Sequence, residues 1–259
     1  MCLIFLAWRV NPDYPLVVAA NRDEFFARPT AAAEFWSEAP TVLAGRDLEA
    51  GGTWMGITRT GRFAALTNYR DPAQMRSGRP SRGGLVSGFL AGEDAPEAYL
   101  AQTESLGREC NGYNLLLGDG QSLWWASNMD SAARALAPGI YGLSNHLLDT
   151  PWPKVGAGKT ALAAALDDLP DEQKLLALLT DDGLHPDHAL PQTGVALEWE
   201  RLLSAAFVKS PNYGTRSSSL LTVHRSGWIC FDEQTWLPGA SRGSRRRYRF
   251  KSQAERRMA

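Results

Sequence analysis

Histidine and cysteine, the residues that most often build metal and redox sites, are scarce in this chain. Its 259 residues include four histidines and three cysteines. The cysteines, Cys2, Cys110 and Cys230, are odd in number and widely spaced, a pattern that excludes a disulfide framework and a Cys-x-x-Cys metal site. We therefore expect a reducing compartment and a cytoplasmic protein.

An excess of charge of either sign is missing as well. The chain carries 27 Lys and Arg against 28 Asp and Glu, for a formal net charge of −1. Such a balance provides no long-range field that would attract nucleic acid or an anionic membrane. Residues 242–257 are the exception because they are rich in Arg, and we predict an edge strand over 245–251 with a solvated basic tail from about residue 252. No nucleic-acid partner is predicted.

Long apolar runs are also lacking. The first run is short and is broken by Arg9, Asn11 and Asp13, and no positively charged segment precedes it. This pattern differs from that of a secretion signal or a membrane span. We predict no membrane-spanning segment.

Two short motifs resemble ligand sites, but neither has all the features that such a site requires. Residues 155–160 resemble the end of a phosphate-binding loop, but Pro153 stands where the first glycine is required. His185 and His188 flank Pro186, and a loop with a proline does not present two histidines on one helical face. No metal is predicted.

Apolar residues make up 44% of the chain, which is enough for a sizeable core. A chain of this size folds as one large domain or two small ones. Strand-like runs occur in pairs joined by turn residues, and helical periodicity fills the stretches between them. The predicted strands cover residues 2–10, 16–20, 53–58, 62–68, 113–117, 122–127, 139–143, 218–224, 228–231 and 245–250. The predicted helices cover residues 85–90, 96–106, 154–166, 171–179 and 195–207.

These elements predict an α+β protein in which two mainly antiparallel sheets are sandwiched between helices. The stretch from the opening hairpin to Gly52 is rich in turn residues, and no strand is predicted there.

The opening hairpin carries a group of charged residues back towards Cys2. A hairpin centred between Pro12 and Asp13 pairs positions whose numbers add up to about 25. This register predicts that Cys2 lies opposite Asp23, with Arg22 beside it. A slip of one residue would exchange which of the two charged residues shares the face of the thiol.

The position of Cys2 favours a nucleophile. If Met1 is removed, Cys2 carries both a thiol and a free α-amine, and such an amine titrates near ~7.7 and can accept the thiol proton. Arg22 would favour the thiolate, and Asp23 would hold the ammonium or the guanidinium in place. The alternative is that Cys2 is a small buried residue at the start of a strand.

Side-chain amides at strand ends are suited to stabilise a tetrahedral intermediate. Asn68 is the last residue of one predicted strand, and Asn145 follows shortly after another. Amide donors of this kind occur in oxyanion sites. The alternative is that both asparagines are ordinary turn residues.

Several blocks of sequence resemble the NRDE family, also known as the transport and Golgi organisation 2 homologues. The blocks are residues 1–4 (MCLI), 17–24 (VVAANRDE), 51–56 (GGTWMG), 65–70 (ALTNYR), 112–115 (GYNL), 142–145 (GLSN), 149–154 (DTPWPK) and 213–219 (YGTRSSS). The resemblance spans nearly the whole chain. It implies one domain over residues 1–259 with an αββα sandwich of the N-terminal-nucleophile hydrolase type, similar to the penicillin V acylase and bile-salt hydrolase group.

The resemblance also implies a set of catalytic residues. By local match they are Cys2, Arg22, Asp23, Asn145 and Arg216, with Asn68 as an additional member. One feature departs from those acylases, in which the Arg and the Asp are separated in sequence. Because Arg22 and Asp23 are adjacent, they cannot both point into one pocket from a regular strand.

Two functions of different class follow from the resemblance. The first is hydrolysis of the C–N bond of a small acyl amide, which requires no cofactor. The second is non-catalytic binding and transfer of haem or of an acyl-CoA-like lipid, with haem as bound cargo. For such a ligand the predicted binding residues are Trp8, Asn21, Phe25, Trp54, Tyr69 and Arg70, and the alternative is that the aromatic ones belong to the core.

Overall fold

The computed structural model describes residues 2–130 and 132–253. In chain order its strands are β1 (Cys2–Trp8), β2 (Leu16–Phe25), β3 (Thr30–Phe35), β4 (Val42–Asp47), β5 (Met55–Thr58), β6 (Phe63–Asn68), β7 (Tyr113–Gly118), β8 (Leu123–Ser127), β9 (Arg134–Ala135), β10 (Gly139–Leu143), β11 (Tyr213–Val223), β12 (Trp228–Leu237) and β13 (Ser241–Lys251). Its α-helices are α1 (Gly83–Ala91), α2 (Pro96–Glu109), α3 (Pro153–Ala165), α4 (Gln173–Leu179) and α5 (Leu197–Leu202).

The strands form two sheets. One sheet has the order β10-β1-β2-β11-β12-β13, and the other has the order β3-β4-β5-β6-β7-β8-β9. Neighbouring strands pair antiparallel throughout both sheets. Most of them are joined by short turns, as expected of consecutive antiparallel strands.

The two sheets face each other across the largest core. Ile4, Leu6 and Trp8 of β1 lie in this inter-sheet core together with Ile57 and Trp125 of the other sheet. Successive residues of a strand point to opposite faces, so the intervening residues of β1 face away from this core. The inner face of β1 therefore holds the even-numbered residues, and Cys2 belongs to the same set.

Helices cover the two outer faces. Leu3 and Phe5 of β1 pack with Val155 and Leu162 of α3 in a second core. On the opposite side of the molecule, Phe89 of α1 belongs to a third core that covers the outer face of the seven-stranded sheet. The nearly continuous apolar run of β1 is buried on both faces for this reason. The predicted four-layer α+β sandwich of two antiparallel sheets between helices is confirmed.

The stretch predicted to contain only turns holds two strands, β3 and β4. They were missed because their sequences, TAAAEF and VLAGRD, are rich in residues with weak strand preference. Tertiary contacts hold them instead. β4 pairs with β5, and the N–H of Ala33 in β3 donates to Glu233 Oε1 of the other sheet at 2.7 Å.

The helix predicted over residues 195–207 is much shorter and ends at Leu202. Beyond it, Lys154 Nζ donates hydrogen bonds to the carbonyl oxygens of Leu203 at 2.7 Å and Ala205 at 3.4 Å. A buried side chain thus satisfies carbonyls that a continuing helix would bond internally, so the chain leaves the helical path.

Within the described residues, no helix combines the length and the apolar character needed to cross a bilayer. The predicted basic tail lies mostly outside the described residues, which end at Gln253.

Candidate functional site

The register of the opening hairpin places Cys2 opposite Arg22. The prediction that Cys2 lies opposite Asp23 is therefore wrong by one residue. Paired residues of two antiparallel strands share a face, so the Arg22 side chain lies on the thiol's face of the sheet and Asp23 is directed to the other face.

The turn explains the shifted register. Arg9 adopts a left-handed conformation with φ of 51°, and its N–H donates to the Pro15 carbonyl at 2.8 Å. Asn11 Oδ1 accepts hydrogen bonds from the backbone N–H groups of Asp13 and Tyr14. These contacts centre the ribbon on Pro12 itself, whereas the prediction placed the centre between Pro12 and Asp13.

The pairing of β2 with β11 extends the same row across the sheet. Arg22 pairs with Ser217, and the register shifts between Thr215 and Ser217, which leaves Arg216 as the extra residue of a bulge. The side chains of Cys2, Arg22 and Ser217 therefore share the inner face.

Cys2 opens onto a small polar cavity of about 120 Å³, which we call the thiol cavity. Both sheets and the start of α1 contribute to its wall. The lining residues are Cys2, Arg22, Asp23, Glu24, Arg28, Asp47, Thr53, Trp54, Leu66, Asn68, Ser81, Arg82 and Gly83. Two of the predicted catalytic residues besides Cys2 and Arg22, namely Asp23 and Asn68, are thus brought to the thiol.

The thiol is buried among charges. Cys2 is 8% exposed, and burial raises the pKa of its thiol above the ordinary value, although the Arg22 guanidinium acts in the opposite direction. Asp23 and Glu24 raise the pKa further through their negative charge. At neutral pH the thiol is therefore protonated, and it needs a base before it can attack a carbonyl.

Arg22 is held without a close carboxylate partner. Its guanidinium lies over the Trp54 ring, 4.5 Å from the ring centroid, and its Nη2 is 3.7 Å from Glu24 Oε2. Its Nη1 is buried and lacks a hydrogen-bond partner in the described part of the chain. Buried charged donors are seldom left unpaired, so this nitrogen is a candidate for contact with a ligand.

Arg28 links the charges at one side of the thiol cavity. Its Nη2 lies 2.7 Å from Asp47 Oδ2, its Nη1 lies 3.2 Å from Glu49 Oε1, and its Nε lies 4.0 Å from Glu24 Oε2. The guanidinium of Arg28, through its hydrogen bond to Asp47, contributes to holding the pKa of that carboxyl below its ordinary value, against the effect of burial. This part of the cavity wall is a fixed network of ion pairs.

Asp23 contributes to the wall of the thiol cavity, but its carboxylate belongs to a second group of charges on the helix side of the sheet. We call Asp23, Arg70, Lys154 and Glu200 the buried ionic cluster; each is at most 7% exposed. Thr215 Oγ1 donates to Asp23 Oδ1 at 2.8 Å, and Arg70 Nη1 lies 2.8 Å from Glu200 Oε2. In this cluster the positive charges of Arg70 and Lys154 compensate the negative charge of Asp23.

Burial shifts the pKa values within this cluster. It raises the pKa of Asp23 above its ordinary value, an effect that the positive charges of Lys154 and Arg70 oppose. Burial also lowers the pKa of Lys154 to about 8, and the negative charge of Asp23 opposes this change. Asp23 and Lys154 thus stabilise each other's charged forms.

Asn145 is committed to other contacts. Its Nδ2 donates to the Asn68 carbonyl at 3.0 Å, and Arg70 Nη2 donates to its Oδ1 at 3.3 Å. β1 pairs with β10 so that Ile4 faces Leu143. The same register, continued by two residues, aligns Asn145 with Cys2, but Asn145 does not line the thiol cavity. Asn68, which does line it, is the better-placed amide.

Arg216, the remaining predicted catalytic residue, also lies outside the thiol cavity. Its Nη1 donates to the carbonyl oxygens of Phe25 at 2.9 Å, Phe26 at 3.2 Å and Arg28 at 3.0 Å. As the extra residue of the bulge it is not part of the paired row of Cys2, Arg22 and Ser217, although it lies close enough to Arg22 for the two charges to interact.

Among the predicted ligand-binding residues, Trp54 alone lines the thiol cavity. Trp8 lies in the inter-sheet core, at the opposite end of β1 from Cys2, and is therefore remote from the thiol. Phe25 is exposed at the end of β2 and contacts Tyr213, with ring centroids 5.0 Å apart. The aromatic residues do not form a shared apolar cleft.

The polar members of that predicted set are engaged in structural contacts. Asn21 Nδ2 donates to the carbonyls of Leu179 and Ala206, both at 2.8 Å. The Tyr69 hydroxyl lies 2.7 Å from His146 Nε2. Arg70 belongs to the buried ionic cluster. A sequence pattern gives residue type and order, but these partners come from distant parts of the chain.

Several residues of the site were missed at the sequence level. Glu24 and Lys154 lie in blocks that already resembled a family, which was a usable signal. Arg28, Arg82 and Glu200 lie in unremarkable stretches, and only the fold brings them to the site. Within the described residues no group of three or more His, Cys, Asp and Glu is arranged to hold a metal ion.

The chain is similar to known proteins over most of its length. Residues 1–238 match the family model described as Transport and Golgi organisation 2. The chain is 39% identical to the Bos taurus Transport and Golgi organization protein 2 homolog, covering 92% of this chain and 94% of the relative. It is 35% identical to the Mus musculus Transport and Golgi organization 2 homolog, covering 98% of this chain and 100% of the relative.

Among solved structures, the chain is similar to a Caenorhabditis elegans N-acylethanolamine-hydrolyzing acid amidase ortholog. The sequence identity is 11%, the TM-score is 0.46, and the match covers 85% of this chain and 92% of that chain.

Proposed function

The chain belongs to the Transport and Golgi organisation 2 family, and we propose that it hydrolyses the C–N bond of a small acyl amide with Cys2 as the nucleophile. The observation that carries the proposal is the thiol cavity, in which Cys2 pairs across the ribbon with Arg22 and faces Asn68 from the other sheet. A sulfur nucleophile, a cation and an amide donor are the groups that acyl transfer requires.

The proposed reaction begins with removal of Met1, a residue that lies outside the described part of the chain. The α-amine of Cys2 then accepts the thiol proton as the sulfur attacks the amide carbonyl carbon and forms a C–S bond. The same proton passes to the amide nitrogen, the C–N bond breaks, and the amine leaves. Water attacks the thioester and releases the carboxylic acid, so that one amide and one water give one acid and one amine.

Arg22 and Asn68 have distinct roles in this proposal. Because burial raises the pKa of the thiol, the thiolate needs a neighbouring positive charge, and the Arg22 guanidinium supplies it. Asn68 lies across the cavity and is the candidate donor to the oxygen of the tetrahedral intermediate. Removal of one such donor costs about 2.7–4 kcal/mol in known acyl-transfer sites.

Asp23 is proposed to hold the ammonium that forms on Cys2. It lines the thiol cavity and is anchored by Thr215 from β11. Lys154 and Arg70 compensate for its charge from the helix side, which favours the ionised carboxylate despite burial.

The size of the cavity favours a small reacting group. Its volume of about 120 Å³ is below the range of roughly 300–1,000 Å³ that is usual for ligand pockets. An acyl group of a few carbon atoms fits this space, and a larger amine would extend beyond it. The alternative function, transport of haem or an acyl-CoA-like lipid, requires a larger space than the thiol cavity provides and stays a prediction; saturable haem binding with a Soret shift would support it.

The first test is the state of the mature N-terminus. Intact mass spectrometry of the purified protein is expected to show that Met1 is absent. A pulse of a thiol-alkylating reagent, read by peptide mapping, is expected to label Cys2 with a different pH profile from buried Cys110, since Cys2 lines the charged thiol cavity and Cys110 does not.

The second test is acylation of Cys2. Incubation with a panel of short N-acyl amides, with detection of the released amine and of the thioester by mass, is expected to give turnover in the wild type and none in Cys2→Ser. Cys110→Ser serves as the matched control and is expected to retain activity. A retained Met1 together with activity that survives Cys2→Ser would rule out the proposed reaction.

A further inference from the structure

A second cavity of about 180 Å³ lies on the other side of Arg22 and Trp54 from Cys2. We call it the Glu233 chamber. Its lining residues are Arg22, Thr30, Ala31, Ala32, Trp54, Arg216, Ser217, Glu233, Thr235, Trp236, Leu237 and Ser244. Arg22 and Trp54 also line the thiol cavity, so their stacked side chains separate the two spaces.

The chamber holds a buried carboxyl group. Glu233 is 1% exposed, and its Oε1 accepts the Ala33 N–H at 2.7 Å. Burial raises the pKa of Glu233 to about 7, although the Ala33 N–H, the hydroxyls of Ser219 and Ser217 and the Arg22 charge act in the opposite direction. Near neutral pH this carboxyl is therefore partly protonated.

The polar and charged groups around Glu233 come from β2, β3, β11 and β13. Arg22 approaches from β2, and Ser217 and Ser219 approach from β11 without charge. β3 contributes only the Ala33 N–H. From β13, the Tyr248 hydroxyl donates to the Ala33 carbonyl at 3.0 Å. Arg246 of β13 is the cross-strand partner of Glu233 and is exposed, so Arg22 is the buried cation that faces Glu233.

Polar groups in the chamber wall lack partners. Arg22 Nη1 is buried without a hydrogen-bond partner among the described residues, and the Ser217 hydroxyl, which lies beside the Glu233 carboxyl and interacts with it, makes no hydrogen bond of ordinary geometry there. Arg22 and Ser217 are direct partners in the β2–β11 ladder, so their side chains stand side by side on the inner face. Unpaired buried donors in a cavity are expected where a ligand supplies the acceptor.

The charge of the wall favours an anion. Arg216 stands beside Arg22, and burial together with the positive charge of Arg22 lowers the pKa of Arg216. A negative group between the two guanidinium ions would relieve their repulsion. A dianion is disfavoured because Glu233 lies in the same chamber, whereas a carboxylate can share one proton with a neighbouring carboxyl group.

We propose that the Glu233 chamber is a binding site for a small monocarboxylate with a short apolar chain. The carboxylate accepts hydrogen bonds from Ser217 Oγ and from the Arg22 guanidinium, and Glu233 takes up one proton and donates it as a hydrogen bond to the ligand. Trp54, Trp236 and Leu237 enclose the apolar chain. The site is separate from the reaction at Cys2 and does not require turnover.

The test is a titration of the full chain with acetate, propionate and butyrate by isothermal titration calorimetry between pH 6 and pH 8.5. Measurements in two buffers of different ionisation enthalpy report the proton uptake. We expect saturable binding, uptake of up to one proton, and an affinity that falls by about tenfold per pH unit above pH 7. Inorganic phosphate serves as the competing anion and is expected to bind more weakly.

Three variants locate the site. Glu233→Gln, whose amide can still donate, is expected to bind at pH 8 without proton uptake and without pH dependence. Ser217→Ala is expected to weaken binding by about fivefold to tenfold, as loss of one hydrogen bond does. Glu172→Gln is the matched control, because Glu172 is a partly buried carboxyl with a raised pKa but is paired with Arg247 on a different surface.

The same titrations on Cys2→Ser separate this proposal from the proposed hydrolysis, since binding is expected to persist without the nucleophile. Circular dichroism on each variant identifies any that do not fold, and the two-buffer measurement on the wild type then stands alone. Absence of saturable carboxylate binding at pH 6, binding of phosphate alone, or affinity that is independent of pH and of Ser217 would overturn the proposal.

Discussion

Two buried arginines, Arg22 and Arg70, show how one kind of side chain serves two purposes in this molecule. Each guanidinium lies over a tryptophan ring, at 4.5 Å for Arg22 over Trp54 and 4.9 Å for Arg70 over Trp152, and their side chains are 6% and 4% exposed. Arg70 lies 2.8 Å from a carboxylate oxygen of Glu200, whereas the nearest carboxylate oxygen of Arg22, on Glu24, is at 3.7 Å.

The difference between the two sites teaches what each is for. The charge of Arg70 is paired with Glu200, and its Nη2 donates to Asn145, so that only its Nε is buried without a hydrogen-bond partner among the described residues. The charge of Arg22 stays available to the thiol and to the space behind it. We infer that pairing distinguishes a structural buried charge from a functional one here, since burial and aromatic contact are alike in both.

The largest effect is expected on the stability of the protein when Arg70, the paired arginine, is replaced. Arg70→Gln leaves the Glu200 carboxylate buried without its cation, and we expect the free energy of unfolding to fall by about 3–5 kcal/mol, as for other broken buried pairs. Urea unfolding followed by tryptophan fluorescence measures it. Arg201→Gln, which removes an exposed pair with Asp187, is the control and is expected to leave the unfolding midpoint unchanged. A loss no larger than that of the control would contradict the structural role.

The next largest effect is expected on the reactivity of Cys2 when Arg22, the arginine without a close carboxylate, is replaced. Arg22→Gln removes the cation beside the thiol, and we expect the pKa of Cys2 to rise and the acylation rate to fall by about 100-fold, equivalent to about 2.7 kcal/mol. The unfolding free energy is expected to change by less than about 1 kcal/mol, because removal of Arg22 leaves no buried carboxylate without its cation.

The readouts for Arg22→Gln are the pH profile of Cys2 alkylation and single-turnover acylation. The alkylation profile measures the thiol pKa even where turnover is slow. The comparison fails if Arg22→Gln unfolds as readily as Arg70→Gln, or if the alkylation profile of Cys2 does not move.

The smallest effect concerns pH and Lys154. The pKa of Lys154 is about 8 in the folded protein and higher in the unfolded chain, so the unfolded state binds more protons between these values. Lys154 is therefore expected to contribute a rise in the unfolding free energy between pH 8 and pH 10, by at most about 1.4 kcal/mol per pH unit, while the three cysteine thiols, whose pKa values burial raises, contribute in the opposite direction. Above that range the buried tyrosines, with pKa values raised to about 12, reverse the trend.

The matched pair for this test is Lys154→Met and Lys159→Met on the same helix. Lys159 is half-buried and bonds Asp149 at 2.8 Å. Only Lys154→Met is expected to remove the rise with pH. An unchanged slope in that variant, measured by urea unfolding at several pH values, would show that Lys154 is not the titrating group.

Much of the architecture was predictable from sequence because local patterns carried it. The strand pairs around the Gly61 and Gly120 turns were predicted within a few residues, since both glycines adopt the positive φ that these turns need. β3 and β4 were missed because contacts with β5 and Glu233 hold them in place of strand-forming residues.

The site was predictable in its residues more than in its arrangement. The family resemblance pointed to Cys2, Arg22 and Asn68, which line the thiol cavity together. It pointed equally to Asn145 and Arg216, which are held elsewhere by the Asn68 carbonyl and by three backbone carbonyls. Local matching identifies residue types but has no access to partners that are remote in the chain.

The sequence by itself determined the four-layer class of fold, the family and the nearness of a second-position cysteine to the Asn-Arg-Asp-Glu run. Only the tertiary structure decided that Arg22 faces the thiol while Asp23 joins Lys154 on the helix side. The reason is the period of two along a strand, which makes a one-residue change of register exchange the two faces. That register depends on the left-handed Arg9 in the turn and on the bulge at Arg216, and neither is evident before the strands are paired.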